Sequence, residues 1–189
     1  MILASSSPQR KAILEQLGIA FRIVIPDVEE LTSGPPEELV LENARRKAGV
    51  VASGLQATGD ATPVLGVDTI VTVDDQVYGK PADEPQARGT LEALSGREHR
   101  VLSGVCVITD GEPLTAAVVT TVTFRRIDPA TLDWYLETNE WRGRAGGYAI
   151  QGRGAALVQR IDGDYLNVVG LPVAKLLDLY PSALFAGIS

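Results

Sequence analysis

The sequence predicts an α/β protein with a mixed sheet. Short apolar runs alternate with helical patterns through the first half of the chain, the pattern of parallel strands joined by helices. Pairs of strand-like runs separated by Asp-Gly dominate the second half and call for antiparallel hairpins. The 189 residues suffice for a buried core. No linker is long enough to separate independent domains, so a single domain over 1–189 is expected.

Ile2-Leu3-Ala4 reads as a buried strand, followed by a turn at Ser5-Ser6-Ser7. Ser7-Pro8 has the form of an N-cap with proline at the first helical position, and Gly18 stops that helix. Phe21–Ile25 is an expected second strand. A second helix follows Pro35-Pro36 and runs to about Ser53. Val64–Val73 is strongly β-branched and predicts a central strand, which Asp74-Asp75 turns into a short partner, Gln76–Tyr78. Glu84–Leu94 is helical and closes at Ser95-Gly96. Arg100–Thr109 and Leu114–Phe124 form a hairpin turned at Asp110-Gly111. Asp128-Pro129 caps a helix ending near Asn139, and residues 142–154 form a glycine-rich loop. Ala155–Ile161 and Tyr165–Val169 predict a second hairpin at Asp162-Gly163, before a last helix from Pro172 to Tyr180.

Composition excludes several classes. Apolar content of 45% fits an ordinary soluble globular protein. A net charge of −7 disfavours a grip on a nucleic acid polymer, which needs a basic face. No window approaches the roughly 20 apolar residues of a membrane span, and no signal peptide is expected. The lone cysteine, Cys106, lies in the apolar run Val105–Ile108 and reads as core, which suits a reducing cytoplasm. His99, the only histidine, reads as structural or surface, which disfavours a histidine triad or a zinc cluster.

Two residues break the patterns around them. Asp68 stands inside Val64-Leu65-Gly66-Val67-Asp68-Thr69-Ile70-Val71. An ionised carboxylate in a buried strand must be paired or bind metal, unless it is a strand-end residue facing solvent. Lys47 falls on or beside the helical stripe Val40, Ala44, Ala48 and Val51, so it either snorkels to water or points its ammonium into a cleft. Two segments lack acids in a chain that has 24 of them. Residues 1–14 carry Arg10 and Lys11 at a helix N-terminus. Residues 141–161 carry Arg142, Arg144, Arg153 and Arg160 among five glycines. These suggest a local polyphosphate pocket, or loops that simply collect glycine and arginine. Neither a P-loop nor a dinucleotide fingerprint is present. The ligands left are oxygens, which favours Mg²⁺ or Mn²⁺.

The motifs Leu3-Ala4-Ser5-Ser6-Ser7-Pro8-Gln9-Arg10, Glu42-Asn43-Ala44-Arg45-Arg46-Lys47-Ala48, Gly66–Val71, Gly79-Lys80-Pro81, Leu94-Ser95-Gly96, Gly143–Gly152 and Gly163–Pro172 occur in an order that resembles the Maf family of nucleotide pyrophosphatases. The resemblance covers nearly the whole chain. It implies an elongated, two-lobed α/β fold similar to inosine triphosphate pyrophosphatase, with substrate in a cleft between lobes. The implied reaction splits a nucleoside triphosphate between its α- and β-phosphates, with a divalent metal, in the cytoplasm. Asp68 matches the family's catalytic proton acceptor. Ser5, Arg10, Lys47 and Lys80 match phosphate contacts, and Asp68 with Glu30 matches the metal site. Thr69 and Gln151 match the dTTP/UTP-preferring branch. Gln9 departs from that branch, which usually has arginine there, at a position tied to base choice; Arg144 stands where lysine is commoner. A homodimer is expected by family analogy. The alternatives are a non-catalytic regulator of septum formation and a phosphatase that releases orthophosphate.

Overall fold

Seven strands form one mixed sheet in the order β2-β1-β3-β5-β6-β7, with β4 paired to β3, in a computed structural model that describes residues 1–74 and 76–185. The strands are β1 (Ile2–Ala4), β2 (Arg22–Ile23), β3 (Val64–Val73), β4 (Gln76–Tyr78), β5 (Glu98–Thr109), β6 (Glu112–Phe124) and β7 (Val158–Asp162). The helices are α1 (Pro8–Gln16), α2 (Pro36–Gln56), α3 (Glu84–Leu94), α4 (Pro129–Glu137), α5 (Tyr165–Val169) and α6 (Val173–Leu179). The mixed α/β class is therefore as the sequence predicts. Asp75, half of the expected Asp74-Asp75 turn, lies outside the described residues. The chain divides into two compact units: Met1–Asp68 with Ser103–Val118 and the segment from Gly170, and Thr69–Leu102 with Val119–Val169.

In the first unit β1 runs parallel to both β2 and β3, with Leu3 opposite Ile23 on one side and Leu65 on the other. Ser7 caps α1 through the Arg10 N–H, with Pro8 in the first turn. Helix α2 lays Ala44, Ala48, Val51 and Ala52 on Ile2, Ala4, Val64 and Cys106. The approach is close because the sheet offers glycines beneath it. A Cβ on Gly66 would lie 2.2 Å from the Ala44 carbonyl oxygen, and one on Gly104 2.1 Å from that of Val40. Burial pushes the Cys106 thiol up to about 11, so it is inert core.

The second unit is built on the buried side chains of Val71, Leu91, Phe124, Tyr135, Trp141 and Tyr148. His99 belongs to this core, not to the surface. Its Nε2 lies 2.9 Å from the Tyr148 hydroxyl, and its ring meets Phe124 and Tyr148 edge-on.

Three expected strands differ: of Ala155–Ile161 only Val158–Ile161 is strand, because Ala155–Leu157 belongs to a 3₁₀ helix. Only Arg22 and Ile23 of the Phe21–Ile25 run are strand, and both are exposed. β2 borders β1 alone, and Pro26, which lacks an N–H, follows closely. Tyr165–Val169 is a helix, not the second arm of a hairpin. The Asp164 carboxylate accepts from the Leu166 and Asn167 N–H groups at 2.8 and 3.3 Å, so capping overrides a β-prone composition. β7 pairs instead with β6, Ile161 opposite Val122. The 142–154 segment is no open loop: Gly146–Ile150 is buried, and it includes a 3₁₀ turn at Ala145–Gly147.

His99 makes stability pH-dependent in a defined window. Burial pushes its folded-state pKa down to about 4 from the ordinary 6.5. The unfolded chain therefore binds the proton first. Stability is full above pH 6.5, falls as pH drops towards 4, and then stops falling, a loss of about 3 kcal/mol from this group. Urea denaturation of the protein and of His99→Gln between pH 7 and 4 should show the variant losing less stability by that amount. Parallel pH profiles would contradict it.

Candidate active site

The site in the first unit follows from the seating of α2 on β3. Gly66 and Asp68 are two residues apart on a strand and so share a face. Ala44 and Ala48 of α2 cover Gly66. Asn43 and Lys47, each one position earlier and one helical turn apart, thereby reach Asp68. Lys47 Nζ donates to Asp68 Oδ1 at 2.7 Å, and Asn43 Nδ2 donates to Asp68 Oδ2 at 3.0 Å. Asp68 and Lys47 are each only 6% exposed. Of the two sequence readings for each, the paired one holds for Asp68, and the Lys47 ammonium turns inward instead of snorkelling.

Glu30 joins from the irregular segment before α2. Its Oε1 lies 2.8 Å from Lys47 Nζ, and its side chain is 47% exposed. The next residue, Leu31, donates its N–H to Asn43 Oδ1 at 2.8 Å, and its carbonyl accepts from Asn43 Nδ2 at 3.0 Å. Asn43 thus uses its acceptor and both donors: it orients Asp68 and clamps the backbone beside Glu30. Sequence reasoning passed over Asn43. The signal was there, because Asn43 and Lys47 stand at i,i+4 on a helix face otherwise lined by Val40, Ala44 and Ala48.

Ser5 and Arg10 complete this group. Ser5 Oγ accepts from the Ser7 N–H at 3.2 Å and from Arg10 Nη1 at 3.0 Å, while Arg10 Nε donates to the Gly170 carbonyl at 2.9 Å. Burial holds the Arg10 pKa below its usual value, while the Asp68 and then the Glu30 carboxylates oppose that shift. Arg10 therefore sits within electrostatic range of both acids. Gln9 is half-buried and uses its Oε1 to accept from the Ser7 hydroxyl at 3.1 Å.

The structure brings Ser5, Arg10, Lys47, Asp68 and Glu30 into one electrostatic group. Thr69, Lys80 and Gln151 belong to the second unit: Thr69 is half-buried on β3, and Lys80 and Gln151 are exposed in non-strand segments. The arginines of 141–161 do not converge. Arg142 stacks over Trp141 at 4.3 Å and donates to Asn139, and Arg160 pairs with Asp162. Glu140 accepts from the Arg153 backbone N–H. Arg144 is half-buried, and its Nε is without a hydrogen-bond partner among the described residues. Charge composition alone could not distinguish local pairing from a shared pocket.

Among the described residues, no three His, Cys, Asp or Glu side chains cluster as an all-protein metal cage. Asp68 and Glu30 nevertheless converge on a single cation, the Lys47 ammonium. That donor set suits Mg²⁺ or Mn²⁺, which bind through one or two carboxylates and take further ligands from phosphates and water.

The family described as Maf-like protein matches residues 1–182. A dTTP/UTP pyrophosphatase from Symbiobacterium thermophilum is 45% identical, over 95% of this chain and 91% of that protein. The proteins of the same name from Thermococcus gammatolerans and Bacillus cytotoxicus are 43% and 42% identical, over 92% and 93% of this chain and 91% of each of those proteins. A solved dITP/XTP pyrophosphatase from Mycobacterium abscessus aligns at a TM-score of 0.39 and 20% identity, over 67% of this chain and 73% of that one.

Asn43→Ala removes the clamp and leaves the Leu31 N–H and carbonyl without their partner. The expected cost is about 2–3 kcal/mol. Amide exchange at Leu31 should accelerate in the variant; unchanged protection there would show that the segment is held by other contacts.

Proposed function

The chain belongs to the Maf family, and on that footing we propose that it hydrolyses nucleoside triphosphates at the α–β phosphoanhydride, releasing the monophosphate and pyrophosphate. dTTP and UTP are the proposed substrates, after the names of its relatives. The observation that carries the reading is the buried Lys47–Asp68 pair, with Glu30 and Asn43 attached. A buried ion pair rarely improves stability over apolar residues of similar size. Its presence in a core of alanines and valines points to chemistry.

Phosphoanhydride hydrolysis needs neutralised phosphate oxygens, a positioned water and a group to take its proton. Asp68 is assigned the proton: held by Asn43 on one oxygen, its carboxylate is oriented to accept from the attacking water. As the water oxygen bonds to one phosphorus of the α–β anhydride, that phosphorus loses its bond to the bridging oxygen, whose electron pair leaves with the other half, giving monophosphate and pyrophosphate. Lys47 and Arg10 are assigned to phosphate oxygens, with the Ser5 hydroxyl donating beside them, and Lys80 is proposed as a further phosphate contact. Asp68 and Glu30 would hold the divalent ion. When bound, the ion supplies charge neutralisation to the phosphates and lowers the pKa of a coordinated water.

Base choice is assigned to Gln9, Thr69 and Gln151. Gln9 lacks the fixed charge and donor fork of arginine, which favours a broader tolerance among triphosphates. The cytoplasm is the proposed compartment, consistent with the reduced, buried Cys106, and a homodimer the proposed assembly. No helix among the described residues is long and apolar enough to cross a membrane. A non-catalytic role in cell division has no support from the buried charged group, which binding alone would not require.

The test is pyrophosphate release from dTTP, UTP, CTP, GTP and 7-methyl-GTP with Mg²⁺ or Mn²⁺. dTTP and UTP should lead, and Asp68→Asn, which keeps shape and removes charge, should lower kcat by about 10²-fold or more. Near-normal turnover in folded Asp68→Asn, or orthophosphate as the first product, would overturn the reading.

A further inference from the structure

The Lys47 ammonium lies 2.7 Å from Asp68 Oδ1 and 2.8 Å from Glu30 Oε1, so one cation already bridges the two carboxylates. We infer that Lys47 is a resident counter-ion that keeps a free divalent metal off the Asp68–Glu30 pair until a polyphosphate arrives to draw the ammonium away. This rests on the reading of Asp68 and Glu30 as the metal-holding pair.

The charge balance carries the argument. Asp68 and Glu30 supply two negative charges, and Lys47 and Arg10 supply two positive ones within electrostatic range of them. The group is neutral as it stands and exerts little net pull on a dication. A free ion would have to displace the ammonium of a lysine that is only 6% exposed, leaving it buried with no carboxylate to pair. It would also approach Arg10, which Asp68 and Glu30 now offset. A triphosphate changes both conditions. Its oxygens give Lys47 another anionic partner within reach of a flexible four-carbon stem. Its several negative charges also leave the group strongly negative, which favours a dication, and its oxygens fill coordination positions that two carboxylates cannot.

The neighbouring contacts suit an exchange confined to the ammonium. Asp68 Oδ2 is held by Asn43, and Asn43 also fixes both backbone groups of Leu31 beside Glu30. Asp68 therefore keeps its anchor on one oxygen, and the backbone beside Glu30 keeps its clamp, when Lys47 turns away. The metal is expected to enter with the nucleotide, not before it.

The test is Mn²⁺ binding by the full chain, followed by the loss of the free-ion EPR signal. It is run without nucleotide and then with α,β-methylene-dTTP, correcting for ion held by the free analogue. The wild type should bind Mn²⁺ weakly alone and at least about tenfold more tightly with the analogue. Lys47→Met alone should bind Mn²⁺ at least about tenfold more tightly than the wild type alone. Adding Glu30→Gln to it should abolish that gain. Equal affinity of wild type and Lys47→Met for Mn²⁺ alone would overturn the inference. Should Lys47→Met not fold even with Mn²⁺, the wild-type pair of titrations decides: tight binding without the analogue, or weak binding with it, overturns the inference. Turnover is measured separately. A wild type that hydrolyses dTTP yet binds Mn²⁺ tightly alone defeats the counter-ion role and leaves the proposed function intact. The predicted Mn²⁺ behaviour in a protein that hydrolyses no triphosphate does the reverse.

Discussion

A lysine and an aspartate, both almost wholly withdrawn from water, meet at 2.7 Å against the middle of the sheet. Much of the first unit serves to make that contact possible. Removing either charge from water is costly, and the attraction between them recovers the cost only with good geometry and satisfied remaining valences. The geometry comes from the backbone. Gly66 and Gly104 leave no Cβ between β3, β5 and α2, so the helix sits low enough for a lysine stem and an asparagine amide to span the gap. Ala44 and Ala48 keep the contact face shallow. Asn43 satisfies the second carboxylate oxygen.

The same contact organises the chain around it. The segment between β2 and α2 has no regular structure of its own, yet Asn43 holds it by the Leu31 backbone and Lys47 by the Glu30 carboxylate. Two side chains one helical turn apart thus place an acid that is distant in sequence beside the one on the strand. Glu30 remains half-exposed, so its pairing with Lys47 is screened and contributes little to stability. It is well placed to exchange partners. Arg10, fixed by Ser5 and by the Gly170 carbonyl, balances the charge from the other side.

How much of this the sequence disclosed depends on whether a residue violated a local pattern. Asp68 in a β-branched run and Lys47 on an apolar helix stripe were legible because each is costly where it stands. Their pairing was not, since the seating of α2 on β3 depends on close approaches at Gly66 and Gly104 that no periodicity reveals. Asn43 carries no charge and so raised no conflict with its surroundings. Tyr165–Val169 has strand-like composition, and only the Asp164 cap, a contact two and three residues long, makes it helical. The arginines of 141–161 looked like one pocket because composition does not record partners: Trp141, Asn139 and Asp162 engage two of them locally. His99 was placed between core and surface, and its ring contacts with Phe124 and Tyr148 decide for the core.

On the proposed mechanism the buried pair is kept for chemistry and not for stability, and one doubly substituted protein separates the two. Lys47→Met combined with Asp68→Leu replaces both charges with apolar groups of similar size. Its unfolding free energy and its turnover of dTTP should be measured on the same preparation. The predicted result is a loss of no more than about 3 kcal/mol, the cost of the Asn43 amide donor left without Asp68, with pyrophosphate release abolished. A stably folded double variant that still releases pyrophosphate at the parent rate would contradict a catalytic role for the pair, and a loss well beyond about 3 kcal/mol would contradict its being dispensable for stability.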